Sequence, residues 1–221
     1  MKKILIFGMP RTGTTILQKM LAQDCRVLNL IEPFNCPGLD DPVQWAFEVK
    51  RGVIKLLAQN LDFVDFNKLI QQVKFDCIVV TQRQNFTDIV VSLYYAQYVA
   101  NQYHYTETPV AMPFDVPLDY VNDMWVWREW YYQKLSWLQE QSVPYEIFDY
   151  DQYCNNGVQL IAGKKIINCK QKNYELNSVS ADIDYKIFCT NYQAVSDRIL
   201  QLLAQNPTID TKNQGTSAVD Q

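Results

Sequence analysis

The sequence predicts an α/β fold: a central parallel sheet of four or five strands, with helices on both faces. Three observations carry this expectation. Short, largely apolar runs recur at residues 3–7, 27–31, 77–81 and 145–148. Runs of that length without polar alternation suit strands buried on both faces. Between them lie stretches with apolar residues three and four apart, the helical period. Strand and helix alternate along the chain, as βαβ units require.

The elements follow in order. The first strand, Lys3 to Phe7, runs into Gly8-Met9-Pro10-Arg11-Thr12-Gly13-Thr14-Thr15. A helix is expected over about 14–23, with Ile16, Leu17, Met20 and Leu21 on one face. Val27 to Ile31 reads as a second strand, stopped by Glu32-Pro33, because proline cannot donate to a ladder. Residues 35–42 are a loop rich in Pro, Gly and Asp. Two helical stretches follow, roughly 43–61 and 66–73. Cys77 to Thr81 is a third strand, and helical period resumes from Thr87 to Ala100. Residues 101–117 hold three prolines and read as a loop or lid. A long helix rich in Trp and Tyr covers about 118–141, and Tyr145 to Phe148 is a fourth strand. Residues 150–187 combine a short helix, a strand at 164–168 and loops; a last helix covers about 188–204. Residues 1–205 are expected to form one domain. The polar stretch 206–221 lacks apolar period and is expected to be a disordered tail.

Composition narrows the function classes. The 221 residues carry 20 Lys and Arg against 24 Asp and Glu, a net charge of −4. No domain-wide basic field is available, which argues against nucleic acid as a partner. No window approaches the ~20 apolar residues of a membrane span, so no membrane partner is expected. The apolar run before Gly8 is shorter than a signal-peptide core, which points to a cytoplasmic protein. Six scattered cysteines without a C-x-x-C pair and a single histidine, His104, make a zinc site and a disulfide framework poor readings.

An anion must therefore be held locally, and Gly8 to Thr15 has the residues for it. The segment joins a strand to a helix, the setting a phosphate-cradling loop requires. Glycine lets the backbone approach oxygen closely, and the helix start offers N–H groups and the positive end of the dipole. Thr12, Gly13, Thr14 and Thr15 line the turn, and Arg11 supplies a cation. The pattern departs from G-x-x-x-x-G-K-[ST], because Thr14 stands where the lysine belongs. A kinase or ATPase uses that lysine on the β- and γ-phosphates and the next hydroxyl on magnesium. In open α/β sheets ligands sit at the carboxyl ends of strands, and Glu32 and Arg83 fall at that edge beside the loop.

Pro10-Arg11-Thr12-Gly13-Thr14-Thr15 and Leu17 resemble the 5′-phosphosulfate loop of the PAPS-dependent sulfotransferases. The resemblance implies a P-loop-type three-layer fold. The co-substrate it implies is 3′-phosphoadenosine 5′-phosphosulfate (PAPS), used without a metal. It extends to the third strand and beyond, where Arg83, Asp88 and Ser92 resemble the family's 3′-phosphate motif. The spacing from Arg83 to Ser92 is one residue longer than usual, and Phe86 stands where proline is commonest. The resemblance implies that Arg11, Thr12, Gly13, Thr14, Thr15, Arg83 and Ser92 bind the donor.

Sulfuryl transfer also needs a base for the acceptor's proton. Glu32 is the first candidate, since some branches of the family, the tyrosylprotein and several glycan sulfotransferases among them, use a glutamate. His104 is the second, since the cytosolic branches use a histidine, although at an earlier place in the chain. The expected acceptor is a hydroxyl of a carbohydrate or small molecule. The Tyr and Trp residues of 94–132 either stack on it or pack the core. Two other readings stand beside this one: a P-loop kinase of a nucleoside or small metabolite, and a nucleotide-binding protein of the same fold without turnover.

Overall fold

The computed structural model describes residues 3–25, 29–30, 34, 39–100, 112–155, 157–167 and 185–206. Its centre is a five-stranded sheet made of β1 (Lys3–Gly8), β2 (Asn29–Leu30), β3 (Gly52–Leu57), β4 (Cys77–Gln82) and β5 (Glu146–Asp149). The spatial order is β2-β3-β1-β4-β5, and every pairing is parallel. The register aligns the carboxyl ends: Gly8 faces both Leu57 and Thr81, and Gln82 faces Asp149.

Alternate residues of β1 feed two cores. Ile4 and Ile6 pack with Leu17, Met20 and Leu21 of α1 (Thr14–Cys25), and this layer is completed by the hairpin of β6 (Val158–Ile161) and β7 (Lys164–Ile167). Leu5 and Phe7 pack on the other face, against α2 (Pro42–Glu48), α3 (Phe66–Gln72) and α5 (Leu118–Glu140). Side chains alternate across a strand, so a central strand apolar at every position requires helices on both faces. The chain is thus an α/β protein with a parallel sheet between two helical layers.

The main difference from expectation lies in the segment 43–61. Residues 43–61 do not form one helix: α2 ends at Glu48, and Gly52–Leu57 is the central strand β3, followed by a 3-10 turn over Ala58–Asp62. A short apolar run is compatible with either structure, and the single lysine at position 55 resembles the polar side of a helix. In the fold that lysine is 2% exposed. The expected last helix, about 188–204, is found as α8 (Tyr192–Gln205), and a separate short helix, α7 (Tyr185–Phe188), precedes it.

Beyond β4 the chain leaves the sheet. α4 (Phe86–Tyr94) continues into a π turn, Tyr95–Val99. Tyr131, midway along α5, donates its hydroxyl proton to the Thr81 carbonyl at 2.9 Å, which sets that point level with the sheet's carboxyl edge. The preceding 13 residues of α5 span about 20 Å at 1.5 Å per residue. Phe86 packs against Trp125 and Tyr94 against Tyr120, at ring separations of 6.1 and 5.1 Å, so α4 and the first half of α5 run antiparallel. Among the described residues no helix is long and apolar enough to cross a membrane.

Candidate functional site

Strand order locates the site. From β1 the chain turns through α1 to β2, on one side of the sheet; from β4 it turns toward β5, on the other. The two connections diverge between the carboxyl ends of β1 and β4, and such a switch point leaves a crevice for a ligand. Residues 9–13 and 83–85 line it.

The first of these loops is held in an uncommon shape. Arg11 has φ 64° and Gly13 has φ 80°. The left-handed region costs an L-residue about 1–2 kcal/mol and glycine nothing, so Arg11 is held there by its surroundings. Leu17 N–H donates to the Gly13 carbonyl at 3.0 Å, the first bond of α1, which leaves the N–H groups ahead of it without helical partners. Thr12 fixes the base of the turn. Its hydroxyl donates to the Met9 carbonyl at 2.7 Å and lies 2.6 Å from the Thr81 hydroxyl, which supplies the proton of that second bond. Gly8 lets the contact form, since a Cβ there would lie 1.9 Å from Thr81 Oγ1. Gly13 lies against Tyr150, the first residue of α6 (Tyr150–Cys154): a Cβ at 13 would meet the ring at 2.5 Å.

Three cations converge on this loop. Arg11 itself is half-buried. Lys55 reaches from β3 and donates from Nζ to Thr15 Oγ1 at 2.9 Å. Arg83, after β4, donates from Nη1 to the Arg11 carbonyl at 3.5 Å and lies over the Tyr150 ring, 5.3 Å from its centre. Burial pushes the Tyr150 phenol well above its ordinary range, reinforced by Cys154, while the Arg83 and Arg11 charges pull it back.

Carboxylates surround Arg83. Nη2 lies 3.4 Å from Asp88 Oδ2, and Nε lies 4.0 Å from Asp151 Oδ1. Asp151 also accepts from the Gln84 N–H at 2.7 Å, and Asp88 accepts from the Tyr192 hydroxyl at 2.7 Å. Burial, then the Asp88 hydrogen bond, pushes the Tyr192 phenol up to about 12.

No family model, no curated protein and no solved structure matches this chain. The site is read from its own geometry.

The structure brings Arg11, Thr12, Gly13, Thr14, Thr15 and Arg83 together at the switch point. Thr14 is buried with its methyl toward Gly8, and the Thr15 oxygen is engaged by Lys55. Ser92 is not among the groups presented there. It is 1% exposed, and its hydroxyl donates to the Ile89 carbonyl at 3.1 Å. It lies six residues along α4 from Phe86, about 9 Å by helical rise. Glu32 and His104 both lie outside the described residues. Of the aromatic residues in 94–132, Tyr95, Trp125 and Tyr131 belong to the core, whereas Tyr98 is exposed.

Two residues that hold the site escape a reading of the sequence. Lys55 is hidden by the helical appearance of its segment. Thr81 looks like any β-branched strand residue, and only the three-dimensional pairing of β1 with β4 sets it against Thr12. Together the groups can bind a compact anion through main-chain N–H groups and nearby positive charge.

Proposed function

We propose that this chain is a PAPS-dependent sulfotransferase. In this reading it moves a sulfuryl group from 3′-phosphoadenosine 5′-phosphosulfate to a hydroxyl of a carbohydrate or small molecule. The observation that carries the reading is the contact of Lys55 with Thr15 beneath a strand-turn-helix loop. In a magnesium-nucleotide loop, the hydroxyl at the place of Thr15 is a metal ligand. Here it accepts from an ammonium group. A divalent ion about 4 Å from that charge would be repelled by about 8 kcal/mol at an effective dielectric constant near 20. The arrangement favours an anion taken without a metal over a magnesium-bound triphosphate, and so favours a sulfuryl donor over the kinase alternative.

The residues present fit the phosphosulfate end of the donor. The bound donor would supply a sulfuryl group joined to a phosphate that gains negative charge as the S–O bond breaks. The loop N–H groups, the start of α1 and Arg11 are placed to stabilise that charge. Lys55 donates to the lone pair of Thr15, which leaves the Thr15 proton free to point toward the loop's anion. Glu32 is proposed as the base that takes the acceptor's proton. As they stand, Arg83 and Ser92 do not fit a 3′-phosphate: the first faces two carboxylates and the second is buried.

Calorimetric titration with 3′,5′-adenosine bisphosphate, with and without magnesium, tests the reading. Binding that ignores magnesium is expected, and a response only to magnesium-ATP would transfer the site to the kinase class. Glu32→Gln should leave that binding nearly intact and lower turnover by about a hundredfold, within the usual worth of a base.

A further inference from the structure

Arg83, at the switch point, both touches the loop backbone and is flanked by acids. Its side chain is 18% exposed, with Asp88 and Asp151 on two sides and Tyr150 beneath. The cluster of one guanidinium and two carboxylates carries a formal charge of −1. Within that cluster the two carboxylates already compete for the guanidinium that an approaching phosphate dianion would have to engage. Among the described residues, the side-chain partners of Arg83 come from two elements, α4 and α6. Asp88 belongs to the first turn of α4 and is bonded to Tyr192 of α8, and Asp151 belongs to α6 and is bonded to the Gln84 N–H. Tyr150 presses on Gly13, and Arg83 itself reaches the Arg11 carbonyl.

We propose that Arg83 is a positioning residue, with Asp151 as its counterpart. The pair clamps the left-handed turn at Arg11 and Gly13 and does not recognise a 3′-phosphate. The inference rests on the proposed function for its choice of ligand, and it departs from the role that the resemblance implies for Arg83. It assigns Asp151 a part in anion binding although it carries the same charge sign as the ligand.

Paired titrations separate a clamp from a contact. The affinities of 3′,5′-adenosine bisphosphate and of 5′-adenosine monophosphate are measured for the full chain, for Arg83→Gln and for Asp151→Asn. The two nucleotides differ only in the 3′-phosphate. If Arg83 holds the loop, Arg83→Gln weakens both by about tenfold, the scale of a lost charged hydrogen bond, and leaves their ratio unchanged within about threefold. Asp151→Asn weakens both as well. The proposal is overturned if Arg83→Gln removes only the advantage of the bisphosphate, or if Asp151→Asn strengthens the bisphosphate selectively, as loss of a competing carboxylate would. Inorganic pyrophosphate, which has no 3′-group, is the third probe. Should it bind while neither nucleotide does, the donor assignment fails and the clamp is judged on pyrophosphate alone, with the same loss expected in both variants. A chain that binds none of the three sinks both ideas.

Discussion

The hydroxyl oxygens of Thr81 and Thr12, 69 positions apart in the chain, lie 2.6 Å from each other. Thr81 is wholly buried on β4, and Thr12 begins the turn that leads into α1. Their bond fixes the height of the loop relative to the sheet, and Tyr131 holds Thr81 from behind through its carbonyl.

Thr81→Val keeps the volume and removes the hydroxyl. Thr12 then loses a donor in a dry place, at a cost of about 1–3 kcal/mol in unfolding free energy. The binding of 3′,5′-adenosine bisphosphate should weaken with it, and Thr81→Ser should restore binding. Calorimetry on the two variants checks this. Equal affinities for Val and Ser would show that shape alone matters at this position.

Arg11 combines a charge with a strained backbone, φ 64°. Arg11→Ala keeps the strain and loses the charge, whereas Arg11→Gly loses both. The Gly variant should be more stable than the Ala variant by roughly 1 kcal/mol, since glycine adopts that conformation without penalty. Both should lose stabilisation by the bisphosphate in thermal unfolding. An unchanged titration for Arg11→Ala would remove the loop from the site.

Lys55→Met replaces a buried ammonium group with an apolar chain of similar length. Removing one partner of a buried polar contact leaves the other unsatisfied, so the variant should unfold at a lower temperature than the parent. Its affinity for the bisphosphate should fall by about tenfold, because the Thr15 hydroxyl loses its charged donor. Loss of stability with unaltered binding would make Lys55 a purely structural residue.

Alkaline pH should unfold the chain through its phenols. Tyr131, Tyr150 and Tyr192 are all held above the ordinary value of 10.0, chiefly by burial, and Tyr192 reaches about 12. The folded chain keeps protons that the unfolded chain releases, so stability falls as pH rises. Their contribution is fully present below pH about 10 and is lost as pH climbs toward 12. Urea midpoints should fall across that window, and Tyr192→Phe should fall less steeply. Parallel slopes for parent and variant would exclude Tyr192 as a source of the effect.

The legible parts of this protein are those whose signal is local. The turn from Gly8 to Thr15 is contiguous and lies between an apolar run and a helical period, so its residues can be read together. Arg83 was legible as a cation at the sheet's edge. Asp88 lies close by in the chain and is legible with it, whereas Asp151 is not, because it stands 68 residues further on and meets Arg83 only once β5 pairs with β4. β3 escapes a reading of the sequence because a single lysine among apolar residues normally faces water, and here the fold buries it against Thr15. Ser92 shows the converse: a motif gives the residue type and spacing, whereas the helix decides whether its hydroxyl is turned inward.

Because one small volume is shared by the absent side chain of Gly8 and the hydroxyl of Thr81, these two positions are mutually exclusive rather than independently variable. Drift or laboratory selection that alters either alone meets a barrier. A paired exchange, alanine entering at 8 as the side chain at 81 shrinks to alanine, removes the worst overlap and leaves only Thr12 Oγ1 at 3.1 Å and Thr14 Cγ2 at 3.2 Å to give slightly. Relatives of this chain should therefore show the two sites covarying, and combinatorial libraries that mutate them jointly should recover folded sequences that single-site scans discard.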